Sequence, residues 1–233
     1  MKQIDLPYFD ERNSKIDMIV IHCLAHSFET AIDAFERHQV SAHYLIDEKG
    51  KVYRLVAEPK RAWHAGESFW QGQENLNHNS IGIELCSPTL GQTPYKKCQL
   101  QALIRLCKHL KRKYHIKKSR ILGHSDIAPA RKPDPGKAFD WAYLARHNLS
   151  IWYNLKNAKK IDINEVGELL KQIGYNTSNL NAATWAFMRR FMPAFIPDDT
   201  VENLLSSPYP NQIKADQELL TQTLQAVLFE MNK

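Results

Sequence analysis

The sequence predicts an α/β fold: a central mixed β-sheet flanked by helices, followed by a small three-helix C-terminal domain. Three observations predict it. Short apolar runs at residues 16–22, 79–86 and 120–123 have the length and branched composition of strands. Between them, segments 30–38 and 97–115 carry apolar residues at helical spacing. Beyond about residue 150 the strand-like runs stop and three further sets of helically spaced apolar residues follow. A chain of 233 residues has room for a larger domain, residues 1–150, and a smaller one, residues 160–233.

Residues 1–15 are polar, contain Pro7 and are expected to drape over the domain ahead of the first strand. That strand, Ile16-Asp17-Met18-Ile19-Val20-Ile21, reads as buried and ends on His22. Thr30 to His38 follows as a short helix with Thr30 as its N-cap. Ala42 to Asp47 and Val52 to Val56 flank Glu48-Lys49-Gly50-Lys51, where Gly50 supplies a positive φ, so the pair forms a hairpin. Its first strand sends His43 and Tyr44 to opposite faces. In Asn79 to Cys86, Ile81, Ile83 and Leu85 alternate with Ser80, Gly82, Glu84 and Cys86. One face is therefore core, and Glu84 lies on the other beside the space left by Gly82. A carboxylate flanked by Ile83 and Leu85 in such a strand is costly without a task.

Leu100, Leu103, Ile104, Cys107, Leu110 and Tyr114 share one helical face, so residues 97–115 form a long amphipathic helix covering the sheet. It leads into the strand Arg120-Ile121-Leu122-Gly123, and His124 stands where that strand hands over to a loop. The loop, Gly123 to Gly136, reads as non-helical. Lys132 and Asp134 each precede a proline, which pushes them towards extended backbone, and extended residues two apart project to one side. Phe139 to Arg146 is a short helix, and the Asn, Lys and Ser scattered from Asn148 to Lys160 mark a linker. Three sets then each fit one helical face: Val166, Leu169, Leu170 and Ile173 before Gly174; Phe187, Met188 and Phe191 before Pro193; and Leu220, Leu224, Val227, Leu228 and Met231.

His124 and Asp134, ten residues apart in that stiff segment, suit one borderline cation, and zinc fits best because its catalytic sites take three protein ligands plus water. His22 is the best candidate for the third ligand. Like His124 it closes an apolar strand, the place where α/β folds carry ligand-binding groups.

At this point the motifs resemble a family. Met18-Ile19-Val20-Ile21-His22, Ser41-Ala42-His43-Tyr44-Leu45-Ile46-Asp47, Ala62-Trp63-His64-Ala65-Gly66, Asn79-Ser80-Ile81-Gly82-Ile83-Glu84-Leu85 and Gly123-His124-Ser125-Asp126-Ile127-Ala128-Pro129 through Asp134-Pro135-Gly136 are similar, in family order, to the zinc-dependent N-acetylmuramoyl-L-alanine amidases. This is the amidase-2 family, related to phage amidase lysozymes and peptidoglycan recognition proteins, and the resemblance covers residues 16 to about 145. It implies that His22, His124 and Asp134 hold Zn2+, and that the reaction is hydrolysis of the amide between N-acetylmuramic acid and L-alanine in peptidoglycan or muropeptides. Glu84 is then the general base that takes the proton of the attacking water. Lys132, on the side of Asp134, faces the developing oxyanion. Tyr44 and His64 occupy motif positions that relatives use around the substrate, although His64 could equally bridge backbone groups. The competing function is a non-catalytic muropeptide-recognition module, whose known relatives lack a full ligand set.

Glu168 to Tyr175 and Ala186 to Pro193 resemble a degenerate peptidoglycan-binding domain, with Met188 where glutamine is usual and without its Asp-Gly turns. The net charge of +6 favours polyanions, but no nucleic-acid motif is present, and the dense run Lys108 to Lys118 alternates with an apolar helical face. It reads as a solvated face within reach of peptidoglycan carboxylates. The four cysteines include no CxxC pair and are expected as free thiols. No apolar run approaches the twenty residues of a membrane span, and a soluble monomer is expected. The two-domain resemblance implies the cell envelope (periplasm); the polar stretch Met1 to Ser14, which lacks a signal-peptide pattern, keeps the cytoplasm as the alternative.

Overall fold

Two seven-residue runs, Met18–Leu24 and Ser80–Cys86, pair in parallel along their whole length, and the sheet builds outward from them. The computed structural model describes residues 2–233. Its strands are β1 (Lys2–Gln3), β2 (Phe9–Glu11), β3 (Met18–Leu24), β4 (Tyr44–Ile46), β5 (Val52–Arg54), β6 (Lys60–Ala62), β7 (Phe69–Trp70), β8 (Gln73–Glu74), β9 (Ser80–Cys86) and β10 (Ile121–Gly123). Its helices are α1 (Phe28–His38), α2 (Lys97–Tyr114), α3 (His124–Ile127), α4 (Trp141–Arg146), α5 (Val166–Ile173), α6 (Leu180–Phe191), α7 (Val201–Ser206) and α8 (Gln217–Met231). The main sheet has the order β1-β5-β4-β9-β3-β10. β4, β9, β3 and β10 run parallel, and β5 turns back antiparallel on β4, so the sheet is mixed, as expected.

The strict alternation of β3 and β9 decides what covers each face. Ile19, Ile21, Ile81 and Ile83 point to one side and are sealed by Leu100, Leu103, Cys107 and Leu110 of α2. On the other side two covers meet. Met18, Val20 and Leu122 pack against Leu169, Leu170, Phe187 and Leu224 of α5, α6 and α8, while Ala31 and Phe35 of α1 cover Leu45 and Leu55. Each fully buried Leu or Phe here contributes about 1.5–3 kcal/mol relative to exposure. Between these covers lie the C-terminal ends of β3 and β9, where His22 follows Met18 and Val20 on this side and Glu84 stands beside it.

Two departures from the sequence-based expectations have local causes. Residues 124–127 form one helical turn rather than loop, because the restraint of the prolines begins only at Ala128, which precedes Pro129, and because the Asp126 carboxylate accepts the Gly123 N–H at 2.7 Å, closing the turn. The segment 148–160, expected as a linker, packs inward: Leu149, Ser150 and Ile151 are buried, and residues 155–160 form a 3-10 helix. Basic charge is gathered in one segment. Residues 96–120 hold ten of the 31 Lys and Arg and none of the 25 Asp and Glu, so the remaining 21 cations and 25 anions leave the rest of the chain at −4. That charge lies on and just beyond α2, behind the sheet. The four cysteines are free thiols, as expected, and among the described residues no helix is long and apolar enough to cross a membrane.

Candidate functional site

Register places the first two groups. His22 in β3 is paired directly with Glu84 in β9, so both side chains leave the same sheet face next to one another. His124 is the first residue of α3, immediately after Gly123, which pairs with Ile21. The chain then loops away and returns Asp134, whose carbonyl accepts the Ser125 N–H at 2.8 Å. Two further contacts fix the return: the Tyr95 hydroxyl donates to the Pro135 carbonyl at 2.7 Å, and Gly136, at φ +88°, lies so close to the Gly91 backbone that a Cβ there would stand 2.5 Å from its carbonyl oxygen.

Three ligand atoms converge as a result. His22 Nδ1 lies 2.9 Å from His124 Nδ1 and 3.4 Å from Asp134 Oδ2, and His124 Nδ1 lies 3.2 Å from the same oxygen. Ligands about 2.0–2.2 Å from a tetrahedral ion stand about 3.3–3.6 Å apart, so the triangle is slightly tighter than a filled site. All three residues are buried. The far nitrogens settle which ring atoms are free. His124 Nε2–H donates to the Ala65 carbonyl at 3.2 Å, and His22 Nε2–H donates to His64 Nδ1 at 3.0 Å. His64 Nε2–H then reaches Ser80 Oγ at 3.3 Å, and the Ser80 hydroxyl donates to the Leu76 carbonyl at 2.5 Å. Every donor in this row has an acceptor, which leaves the lone pair of both Nδ1 atoms pointing into the triangle.

Electrostatics agree with that protonation. Burial first, and the adjacent His124 second, lower the His22 pKa to about 4. Burial works to raise Asp134, but the two imidazoles beside it, His124 first, outweigh that effect and hold the carboxyl well below its ordinary range. Glu84 goes the other way. Burial, then the charge of Asp134, push it well above the usual carboxylate range against the pull of Lys132. Its Oε2 is buried and, among the described residues, meets no hydrogen-bond partner.

Above the triangle opens a cleft of about 680 Å³ lined by His64, Glu84, His124, Lys132 and Asp134, with Trp63, Val40 and Leu205 on its rim. The expected residues therefore separate. His22, His124, Asp134, Glu84, Lys132 and His64 gather here, and His64 fills the space over Gly82, where a Cβ would sit 2.4 Å from the ring. Tyr44 does not. Its neighbour in register is Ile83, on the face sealed by α2, and its hydroxyl donates to Glu58, which also accepts from Lys113 at 2.7 Å. By the alternation of the hairpin His43, not Tyr44, faces the site side. His43 Nδ1 accepts the Gly82 N–H at 3.0 Å and its Nε2–H donates to the Lys60 carbonyl at 3.1 Å, holding the strand beneath His64. The side to which α2 packs is the signal that would have made this choice.

A family model described as N-acetylmuramoyl-L-alanine amidase matches residues 12–137. The N-acetylmuramoyl-L-alanine amidase AmiD of Escherichia coli K12 is 35% identical over 186 residues, 70% of this chain and 67% of that protein. The 1,6-anhydro-N-acetylmuramyl-L-alanine amidase AmpD of Enterobacter cloacae is 48% identical over 103 residues, which cover 44% of this chain and 54% of that one. Among solved structures, the complex of the E. coli AmiD amidase with the substrate anhydro-N-acetylmuramic acid-L-Ala-D-gamma-Glu-L-Lys superposes with a TM-score of 0.76 at 30% identity, covering 94% of this chain and 92% of that one.

Proposed function

The chain belongs to the N-acetylmuramoyl-L-alanine amidase family and is an amidase, and from that premise we propose that it hydrolyses the amide between N-acetylmuramic acid and L-alanine in peptidoglycan or muropeptides at a zinc site formed by His22, His124 and Asp134. One observation carries the proposal: the triangle of two Nδ1 atoms and one carboxylate oxygen stands beside Glu84, whose buried Oε2 has no hydrogen-bond partner among the described residues. Two neutral imidazoles and one carboxylate are a donor set suited to zinc. When bound, the ion supplies Lewis acidity, the property that brings the pKa of water from 15.7 to about 7.

The side chains divide the remaining work. Glu84, raised by burial and by Asp134, is poised to accept a proton from the attacking water and to return it to the departing amine of alanine. Lys132 lines the same cleft and sets a positive charge against the carbonyl oxygen as it gains negative charge. His64 keeps the Nδ1 of His22 free by accepting from its Nε2–H. Trp63, Val40 and Leu205 give the rim apolar surface for the sugar and the lactyl group. A complete ligand triangle with an adjacent base favours hydrolysis over recognition alone.

Glu84→Ala separates a base from a ligand. The variant is expected to keep stoichiometric zinc and to lose on the order of 10² to 10⁴ in turnover of a purified muropeptide. Turnover within threefold of the parent, or purification without zinc, would sink the assignment.

A further inference from the structure

One buried ion pair lies outside the chemistry above. Asp126 is 1% exposed and Arg190 4% exposed, and among the described residues no other Lys or Arg pairs with a carboxylate at such depth. A buried pair of this kind is weak as a source of stability, since well-packed apolar residues of similar volume serve as well or better. What sets this pair apart is where its carboxylate reaches. Asp126 lies in α3, two residues after His124, and its Oδ2 accepts the N–H of Gly123, the residue before His124, at 2.7 Å.

The other donors to that carboxylate come from the C-terminal third of the chain. Arg190 of α6 donates to Oδ2, and the Tyr175 hydroxyl, just after α5, donates to Oδ1 at 2.7 Å. Arg190 is itself held. It donates to Ser150 Oγ at 3.0 Å and to the Ile121 carbonyl in β10 at 3.3 Å, and its guanidinium lies 4.0 Å from the centre of the Trp141 ring. Its Nε has no hydrogen-bond partner among the described residues. Tyr175 rests edge-on against Trp70 with centroids 5.0 Å apart. The turn that begins with His124 is thus clamped by side chains more than forty residues downstream.

We propose that Arg190 and Tyr175 are positioning residues for His124, acting through Asp126, so that the C-terminal helices complete the metal site. The inference rests on the metal reading above. Shifting α3 carries His124 Nδ1 out of the triangle with His22 and Asp134, and losing such outer support costs 10- to 100-fold in metal affinity in comparable sites.

The test is zinc affinity by chelator competition on the folded, metal-stripped full chain, together with the visible absorption of the cobalt-substituted protein. Tyr175→Phe, Arg190→Lys and Arg190→Met are compared with Leu224→Ala, which loosens the same helices without touching Asp126. Tyr175→Phe is expected to bind zinc several-fold more weakly and Arg190→Met about tenfold or more, with Arg190→Lys between parent and Arg190→Met and altered cobalt bands in each. Leu224→Ala is expected to lower the thermal midpoint and leave both metal readouts at parental values. Should Arg190→Met fail to fold, Tyr175→Phe and Arg190→Lys decide. Parental zinc affinity and cobalt spectrum in both overturn this inference alone; absence of zinc binding by the parent overturns the metal reading and this inference with it.

Discussion

At Gly82 a single hydrogen atom holds open the place of an imidazole. The ring of His64 lies where a Cβ would stand, 2.4 Å from Cγ, and that ring is what keeps the Nε2–H of His22 occupied. Gly82→Ala is therefore expected to cost about 1–3 kcal/mol from overpacking and to lower zinc affinity by about tenfold as His64 is pushed off its partner. Chelator competition on the single variant and on Gly82→Ala combined with His64→Ala checks this: the double variant should recover stability and not affinity. Parental affinity in folded Gly82→Ala would show that His22 needs no such support. Much at this scale was legible in the sequence. In the sequence His22 and His124 each follow an apolar run, and Glu84 is the only acid in its strand, so the sequence alone names them, although β3 continues two residues past His22. The hydrogen-bonded row from His22 through His64 and Ser80 to the Leu76 carbonyl was not, because it joins segments whose spacing carries no periodic signal.

Among the elements, the strongly patterned ones were readable and those made by a single contact were not. β3, β9 and α2 follow from apolar alternation and helical spacing. α3 depends on one hydrogen bond from the Gly123 N–H to Asp126, and the choice between His43 and Tyr44 depends on which face of the hairpin α2 covers. His43 also gives this element a pH limit. Burial, then the nearby Arg12 charge, lower its pKa to about 3 from the ordinary 6.5. The unfolded chain thus binds a proton that the folded chain refuses. The contribution of His43 is intact above about pH 6.5 and is lost progressively as the pH falls towards 3, on the order of a few kcal/mol in all. Denaturant unfolding of the metal-stripped protein across that window should show a shallower decline for His43→Gln than for the parent. Equal slopes would mean that the acid sensitivity arises elsewhere.

For the molecule as a whole, the sequence separates residues 1–150 from 160–233 by texture, yet one apolar cluster runs through both, from Met18, Val20, Leu122 and Ile127 to Leu170, Phe187 and Leu224. A change of composition reports where local patterning changes, not where packing ends. Residues 1–155 made alone are expected to expose that sheet face and to bind a hydrophobic dye and self-associate. A monomeric fragment by size exclusion, with no dye binding, would show that the sheet face tolerates water. The same layered build fixes where charge sits. The ten cations of residues 96–120 lie on and just beyond α2, behind the sheet, while the cleft opens on the opposite side and the rest of the chain is net negative. On a sulfonated resin the molecule should therefore settle on α2, with its cleft turned to the bulk. Immobilised by its own charge, it would keep its mouth clear for a soluble substrate and be released by salt.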